Sequence, residues 1–66
     1  MSPAVVVAIL VDEGQMVAET DAIAILDSAG IEQVVITEIP GVVREIHIEL
    51  GGSVIAGSLL VLIDES

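Results

Sequence analysis

Cysteine is absent from these 66 residues, so no disulfide can staple the chain and no thiolate can ligate a metal or attack a substrate. Aromatic residues are absent as well. There is one histidine, His47, and one cation, Arg44; lysine does not occur. A lone histidine without cysteine leaves a zinc site short of ligands. It also leaves no nucleophile–base pair, since the serines fall in turn-like stretches. No phosphate-cradling glycine loop opens a helix. Apolar runs are too short for the roughly 18 residues that span a bilayer. Met1-Ser2-Pro3 lacks the positive charge of a secretory signal, so cytoplasm is the default expectation for location.

Charge of one sign dominates. Eleven Asp and Glu oppose the single Arg44, for a net charge of −10. Such a surface repels nucleic acid and anionic membrane, so neither is expected as a partner. A basic partner would be steered towards it, most strongly at low salt. The simpler consequence is solubility for an otherwise aliphatic chain.

What the chain does have is aliphatic bulk. Hydrophobic residues make up 55 % of it, almost all Val, Ile, Leu and Ala. β-Branched residues suit a pleated sheet better than a helix. A chain this short forms one domain, residues 1–66. It buries only about 60 % of the surface exposed when unfolded, so it depends on a very apolar core or a partner subunit.

The apolar residues repeat. Sliding the chain so that Pro3 falls on Pro40, a shift of 37 (40 minus 3), also brings Val5 onto Val42, Val6 onto Val43 and Ile9 onto Ile46. Gly14 falls on Gly51, Val17 on Val54 and Asp27 on Asp64. The half repeats run over residues 3–27 and 40–64 and flank a central hairpin at residues 25–36. Internal repeats of this kind imply a symmetric architecture.

Read in order, Ala4 to Val11 is an unbroken apolar run and predicts a buried strand. Asp12-Glu13-Gly14-Gln15 predicts a turn with φ > 0 at Gly14. A short strand at Met16-Val17, a polar turn at Glu19-Thr20-Asp21 and a strand from Ala22 to Leu26 follow. Asp27-Ser28-Ala29-Gly30 reads as a turn, and Gln33 to Thr37 as a strand broken by Pro40-Gly41. Val42-Val43 then opens a strand that continues through the alternation Ile46, Ile48, Leu50. The parity of Val43 and Ile46 disagrees, which predicts a bulge near Arg44 and Glu45. Gly51-Gly52 turns, Val54-Ile55 is short, Ala56-Gly57-Ser58 turns, and Leu59 to Ile63 is the last strand before a polar tail. No segment holds a helical period. The expected fold is all-β, a flattened barrel or sandwich of two small antiparallel sheets.

With Ile9-Leu10-Val11-Asp12-Glu13-Gly14-Gln15-Met16-Val17 in the first half, and Gly41-Val42-Val43 and Gly51-Gly52-Ser53-Val54 in the second, the chain resembles the biotinyl/lipoyl attachment domain family over nearly its whole length. The resemblance implies a barrel-sandwich hybrid with a pseudo-two-fold axis. In that family a lysine at the hairpin tip is joined by an amide bond to biotin or lipoate. Biotin-type tips read E-A-M-K-M, and lipoyl-type tips read E-x-D-K-A. This chain reads Asp27-Ser28-Ala29-Gly30-Ile31, which puts Gly30 in the lysine's place, flanked by Ala29 and Ile31. The apolar flanks lean towards the biotin type. Glycine has no amine, so no cofactor is expected here. Family members commonly carry a further strand before the position of Ala4; without it a sheet edge would stand open, which invites a homodimer.

Among other candidate groups, the carboxylate pairs Asp12/Glu13, Glu19/Asp21 and Glu45/Glu49 fall on turns or an outer strand face with no sign of a cleft, so no catalytic residue and no enzyme activity is expected. His47 between Glu45 and Glu49 is better read as a solvated histidine than as a metal ligand. Met16 is read as core or turn packing, and Arg44 as paired with Glu45 or an acid across the strand. The resemblance implies a non-catalytic interaction or assembly module of a carboxylase-like or oxo-acid-dehydrogenase-like complex, with a subunit of such an enzyme as partner. An adaptor resembling the lipoyl domains of membrane-fusion proteins, or an apo-form engineered from a true carrier, are the alternatives.

Overall fold

The computed structural model describes residues 3–55 and 60–65. Among the described residues seven strands follow one another: β1 (Ala4–Ile9), β2 (Met16–Val17), β3 (Ala22–Ser28), β4 (Ile31–Ile36), β5 (Gly41–Ile46), β6 (Ser53–Val54) and β7 (Val61–Glu65). They form two antiparallel sheets, ordered β4-β3-β1-β6 and β2-β5-β7. The fold is all-β, in two packed layers.

The repeat in the sequence is a repeat in the hydrogen-bond register. β1 pairs with β3 through Val5↔Asp27, Val6↔Leu26, Ala8↔Ile25 and Ile9↔Ala24. Adding 37 to each gives Val42↔Asp64, Val43↔Ile63, Glu45↔Leu62 and Ile46↔Val61, the pairs observed between β5 and β7. Each ladder slips at the same place, between Val6 and Ala8 and between Val43 and Glu45. The bulge expected near Arg44 is therefore present, and it is present twice.

Neither half is a separate sheet. The short strand of each half crosses over, so β6 pairs with β1 and β2 with β5. The glycine turns close the exchange. Gly14 and Gly51 have φ of 87° and 80°, the left-handed region that glycine occupies at no steric cost. The Gly14 N–H donates to the Val43 carbonyl (2.7 Å) and the Val43 N–H to the Gln15 carbonyl (2.9 Å). Reciprocally, the Gly51 N–H donates to the Val6 carbonyl (2.8 Å) and the Val6 N–H to the Gly52 carbonyl (2.9 Å). Each half thus grips the bulge of the other. Those two bulge valines have the largest fully buried side chains, each 1 % exposed. Val11, Val17, Ile23 and Val43 form the core cluster, with Val35, Ile46, Val61 and Ile63 packed against it.

Several expectations need correction. The run Ala4 to Val11 is not a fully buried strand. β1 ends at Ile9, Val5 and Val7 are exposed, and only Val6 within the strand is buried. The reason is that β1 lies in an open sheet with one face on the core, so alternate residues meet water. The alternation at Ile46, Ile48 and Leu50 does not extend β5, which ends at Ile46. The His47 N–H still donates to the Leu60 carbonyl (2.8 Å), after which the chain leaves the ladder for the glycine turn. Leu50 stands 66 % exposed there. Met16 is not packed; it lies on the edge strand β2, 76 % exposed. Asp27 and Ser28 belong to β3 rather than to a turn. Asp64 and Glu65 belong to β7 rather than to a tail, since Gly41 pairs with Glu65. The turn expected at Ala56-Gly57-Ser58 lies outside the described residues.

Candidate functional site

The central hairpin joins β3 to β4 with a two-residue loop. Ser28 faces Ile31 as the closing pair, and Ala29 and Gly30 make the turn. Both turn residues have positive φ, 54° and 81°. That combination is the I′-type turn whose twist matches the flanking strands. The sequence reading placed a turn here but no left-handed alanine. At Ala29 the same conformation sets the Cβ against the backbone, at a cost of roughly 1–2 kcal/mol.

A local hydrogen bond holds the tip. Asp27 Oδ1 accepts the Gly30 N–H at 3.0 Å, so the side chain below the loop satisfies the amide at its apex. Asp27 and Glu32 are cross-strand partners, which sets two carboxylates side by side beneath the tip. Ala29, Gly30 and Ile31 are all exposed, Ile31 at 66 %. A Cβ built on Gly30 would meet nothing within 4 Å, so the apex projects into open space. An amide to biotin or lipoate needs a primary amine here, and none of these three residues carries one.

Two further carboxylates accept backbone N–H groups. Asp21 Oδ2 accepts the Ala18 N–H (2.8 Å), and Glu13 Oε2 accepts the Ile46 N–H (3.2 Å) across the sheet. His47 Nε2 meets Glu45 Oε1 at 2.7 Å, and Glu49 does not join them in a hydrogen bond. Among the described residues no three His, Asp or Glu side chains are grouped so as to hold a metal ion. Arg44 pairs with Asp64 on β7, across the strand, rather than with Glu45. The hydrogen bond it donates to Asp64, and then the charge of Asp64, hold the Arg44 guanidinium above its ordinary range.

Sequence reasoning missed one structural anchor. Thr37 is 4 % exposed and is the buried polar residue among those described. Its hydroxyl donates to the Ile39 carbonyl (2.7 Å) and accepts the Ile39 N–H (3.2 Å). Its backbone N–H donates to the Asp21 carbonyl (2.9 Å), and its carbonyl accepts the Thr20 N–H (2.8 Å). These bonds hold Thr20 at φ 71°, an uncommon conformation for a β-branched residue. Thr37 lies outside both repeats, so the repeat pattern carried no signal for it.

Comparison with known proteins places this geometry. The family model described as biotin-requiring enzyme, for biotin/lipoyl domains, matches residues 1–63. The solution structure of the lipoyl domain of the 2-oxoglutarate dehydrogenase complex from Azotobacter vinelandii superposes with a TM-score of 0.82 at 25 % identity. The match covers 98 % of this chain and 82 % of that one. No curated protein matches. The two-sheet fold is that of a lipoyl domain, and the chain belongs to the biotinyl/lipoyl domain family.

Proposed function

We propose that this protein is a carrier-type domain that has no attachment residue and works as a non-catalytic interaction module. Its partner would be a subunit of a carboxylase-like or oxo-acid-dehydrogenase-like assembly. The observation that carries the reading is the tip: an exposed, hydrogen-bonded hairpin apex with Gly30 where the family's lysine would stand, in a chain with no lysine at all. What remains for recognition is the tip surface of Ala29, Gly30 and Ile31 and the acidic neck of Asp27 and Glu32. A partner of basic surface suits that neck, with binding weakened by salt. The two-residue loop between β3 and β4 leaves no room for the helical insertion of a membrane-fusion adaptor, which favours the carrier-type reading.

The test restores the amine. Gly30→Lys is co-expressed with a biotin ligase and, separately, with a lipoate ligase, and the intact mass is read beside that of the parent. The variant is expected to fold, because the added side chain meets no neighbour, although φ of 81° costs it about 1 kcal/mol. Circular dichroism checks that it does. One ligase is expected to add its cofactor to the variant and nothing to the parent, which also names the type. A folded variant that neither ligase modifies refutes the carrier-tip assignment.

A further inference from the structure

We propose that the outer face of the four-stranded sheet docks a basic amphipathic helix of a partner protein, which lays aliphatic side chains on Val7, Leu10 and Ile25 and sets an arginine or lysine on Asp27. The chain's own repeat supplies the comparison. Because β1–β3 and β5–β7 share one register 37 residues apart, each outer-face residue of one ladder has a counterpart on the other. The counterparts of Val7, Ala8 and Leu10 are Arg44, Glu45 and His47, and the counterpart of Leu50 is Glu13. Openness is alike at these positions: Val7 and Leu10 are 44 % and 45 % exposed, against 59 % and 43 % for the side chains of Arg44 and His47. The chemistry is opposite, polar or charged in one half and aliphatic in the other. Scattered exposed aliphatics need no explanation, but these replace a full polar set at matched positions and adjoin one another. His47 meets Glu45 and Arg44 meets Asp64, so the same register sets Leu10 beside Ala8 and Val7 beside Asp27. Ala8, Ile25 and Val34 are cross-strand partners in one row, and the 58 % exposure of Val34 shows that the row faces outward.

Two features choose the occupant. The first is charge. Asp64 holds Arg44, whereas beside Asp27, its counterpart, the register sets Val7. Asp27 uses Oδ1 for the Gly30 N–H, and Glu32 lies next to it across the strands. The second half thus shows what fits beside this aspartate: a cationic side chain, and Arg44 is the only Lys or Arg in the chain. A second copy brings the same −10 and no spare cation, and an anionic membrane is repelled. The second feature is shape. β4, β3 and β1 lie side by side, so the face is about 10 Å across, the width of one helix. A helix packed on a sheet face is one of the few stable layer arrangements. The inference rests on the interaction-module reading and names the partner's chemistry, but it does not use the apex at Gly30, so the ligase experiment and the one below fail separately.

The probe is a synthetic amphipathic helix of leucine and lysine, titrated into the whole chain by calorimetry and by NMR of the backbone amides. A peptide with alanine for leucine is the control of equal charge. The expected result is a larger shift at the amides of Val7, Ala8, Leu10 and Ile25 than at those of Arg44, Glu45, His47 and Leu62. The alanine peptide should bind at least about tenfold more weakly, and salt should weaken both. The variant carrying Val7→Arg, Ala8→Glu, Leu10→His and Leu50→Glu gives this face the residues of its counterpart, which the same register already accommodates. It adds one positive and two negative charges, taking −10 to −11 with histidine neutral. If net charge governed binding, the variant would bind as tightly as the parent or more so; it should instead bind at least about tenfold more weakly. Circular dichroism checks its fold, and the amide map of the unaltered chain does not depend on it. Equal binding of the two peptides, shifts centred on residues 44–47 or on the edge of β4, or a folded variant that binds like the parent overturns the proposal.

Discussion

Gly41→Ala should cost this domain a large part of its stability. Gly41 is buried in β5, the middle strand of its sheet, with Val17 on one side and Glu65 on the other. Its backbone needs no special conformation, so the reason for glycine is space. A Cβ there would lie 2.0 Å from the Asp64 carbonyl oxygen, 2.8 Å from its carbon and 2.9 Å from Ile63 Cγ2. Two of those atoms are backbone, so β7 would have to move by about an ångström and loosen its ladder with β5. Overpacking of this kind costs about 1–3 kcal/mol. A chain of this length has only about 3–10 kcal/mol to lose. The melting temperature should fall by about 4–8 °C for each kcal/mol. Ala4, 37 residues earlier, is the internal control. The β1–β3 ladder ends at Val5↔Asp27, whereas the β5–β7 ladder runs one pair further to Gly41↔Glu65, so β7 crowds position 41 where nothing equivalent crowds position 4. Ala4→Gly should therefore cost only about 0.5–1 kcal/mol, the usual backbone-entropy penalty. With no aromatic residue to fluoresce, urea unfolding followed by far-ultraviolet circular dichroism is the assay. A Gly41→Ala variant within about 0.5 kcal/mol of the parent would refute the steric argument.

Three further substitutions probe the tip and the symmetry. Ala29→Asn should stabilise by about 0.5–1 kcal/mol, because asparagine tolerates the φ of 54° that alanine resists and Asn-Gly is the preferred I′ pair; an unchanged urea midpoint would show that the turn is not strained. Val6→Ala and Val43→Ala should each cost about 2–3 kcal/mol through lost burial and a residual cavity. Because the two valines occupy equivalent bulges gripped by equivalent turns, the two losses should agree, and clearly unequal losses would mean that the symmetry of register is not a symmetry of packing.

The parts legible in sequence were those set by local chemistry. β-Branched residues suit strands, no segment holds a helical period and turns recur, so the all-β class followed from composition and spacing. Gly14 was readable as a positive-φ turn, because few other residues adopt that conformation freely, and Gly51-Gly52 as a turn. The parity clash between Val43 and Ile46 exposed a bulge, because side chains of a strand alternate strictly. At the hairpin tip, that Ala29, Gly30 and Ile31 carry no side-chain amine was a matter of residue identity alone.

What needed the fold was everything decided by a neighbour distant in the chain. The run Ala4 to Val11 looked buried, yet which of its side chains meet water depends on which face of the sheet the other layer covers. Ile46, Ile48 and Leu50 alternate like a strand, but a strand persists only where a partner's backbone continues beside it. Ala29 adopts a left-handed conformation because the twist of β3 and β4 requires the I′ turn, against the residue's own preference. Thr37 became an anchor because two turns converge on it. Sequence by itself determined the sheet class, the two-fold repeat and the absence of an amine from Ala29, Gly30 and Ile31, since each depends on side-chain type and near spacing. Only the tertiary structure decided that the halves exchange their short strands, which glycine is held by crowding rather than by φ, and which edge stands open, because those depend on contacts that no local pattern encodes.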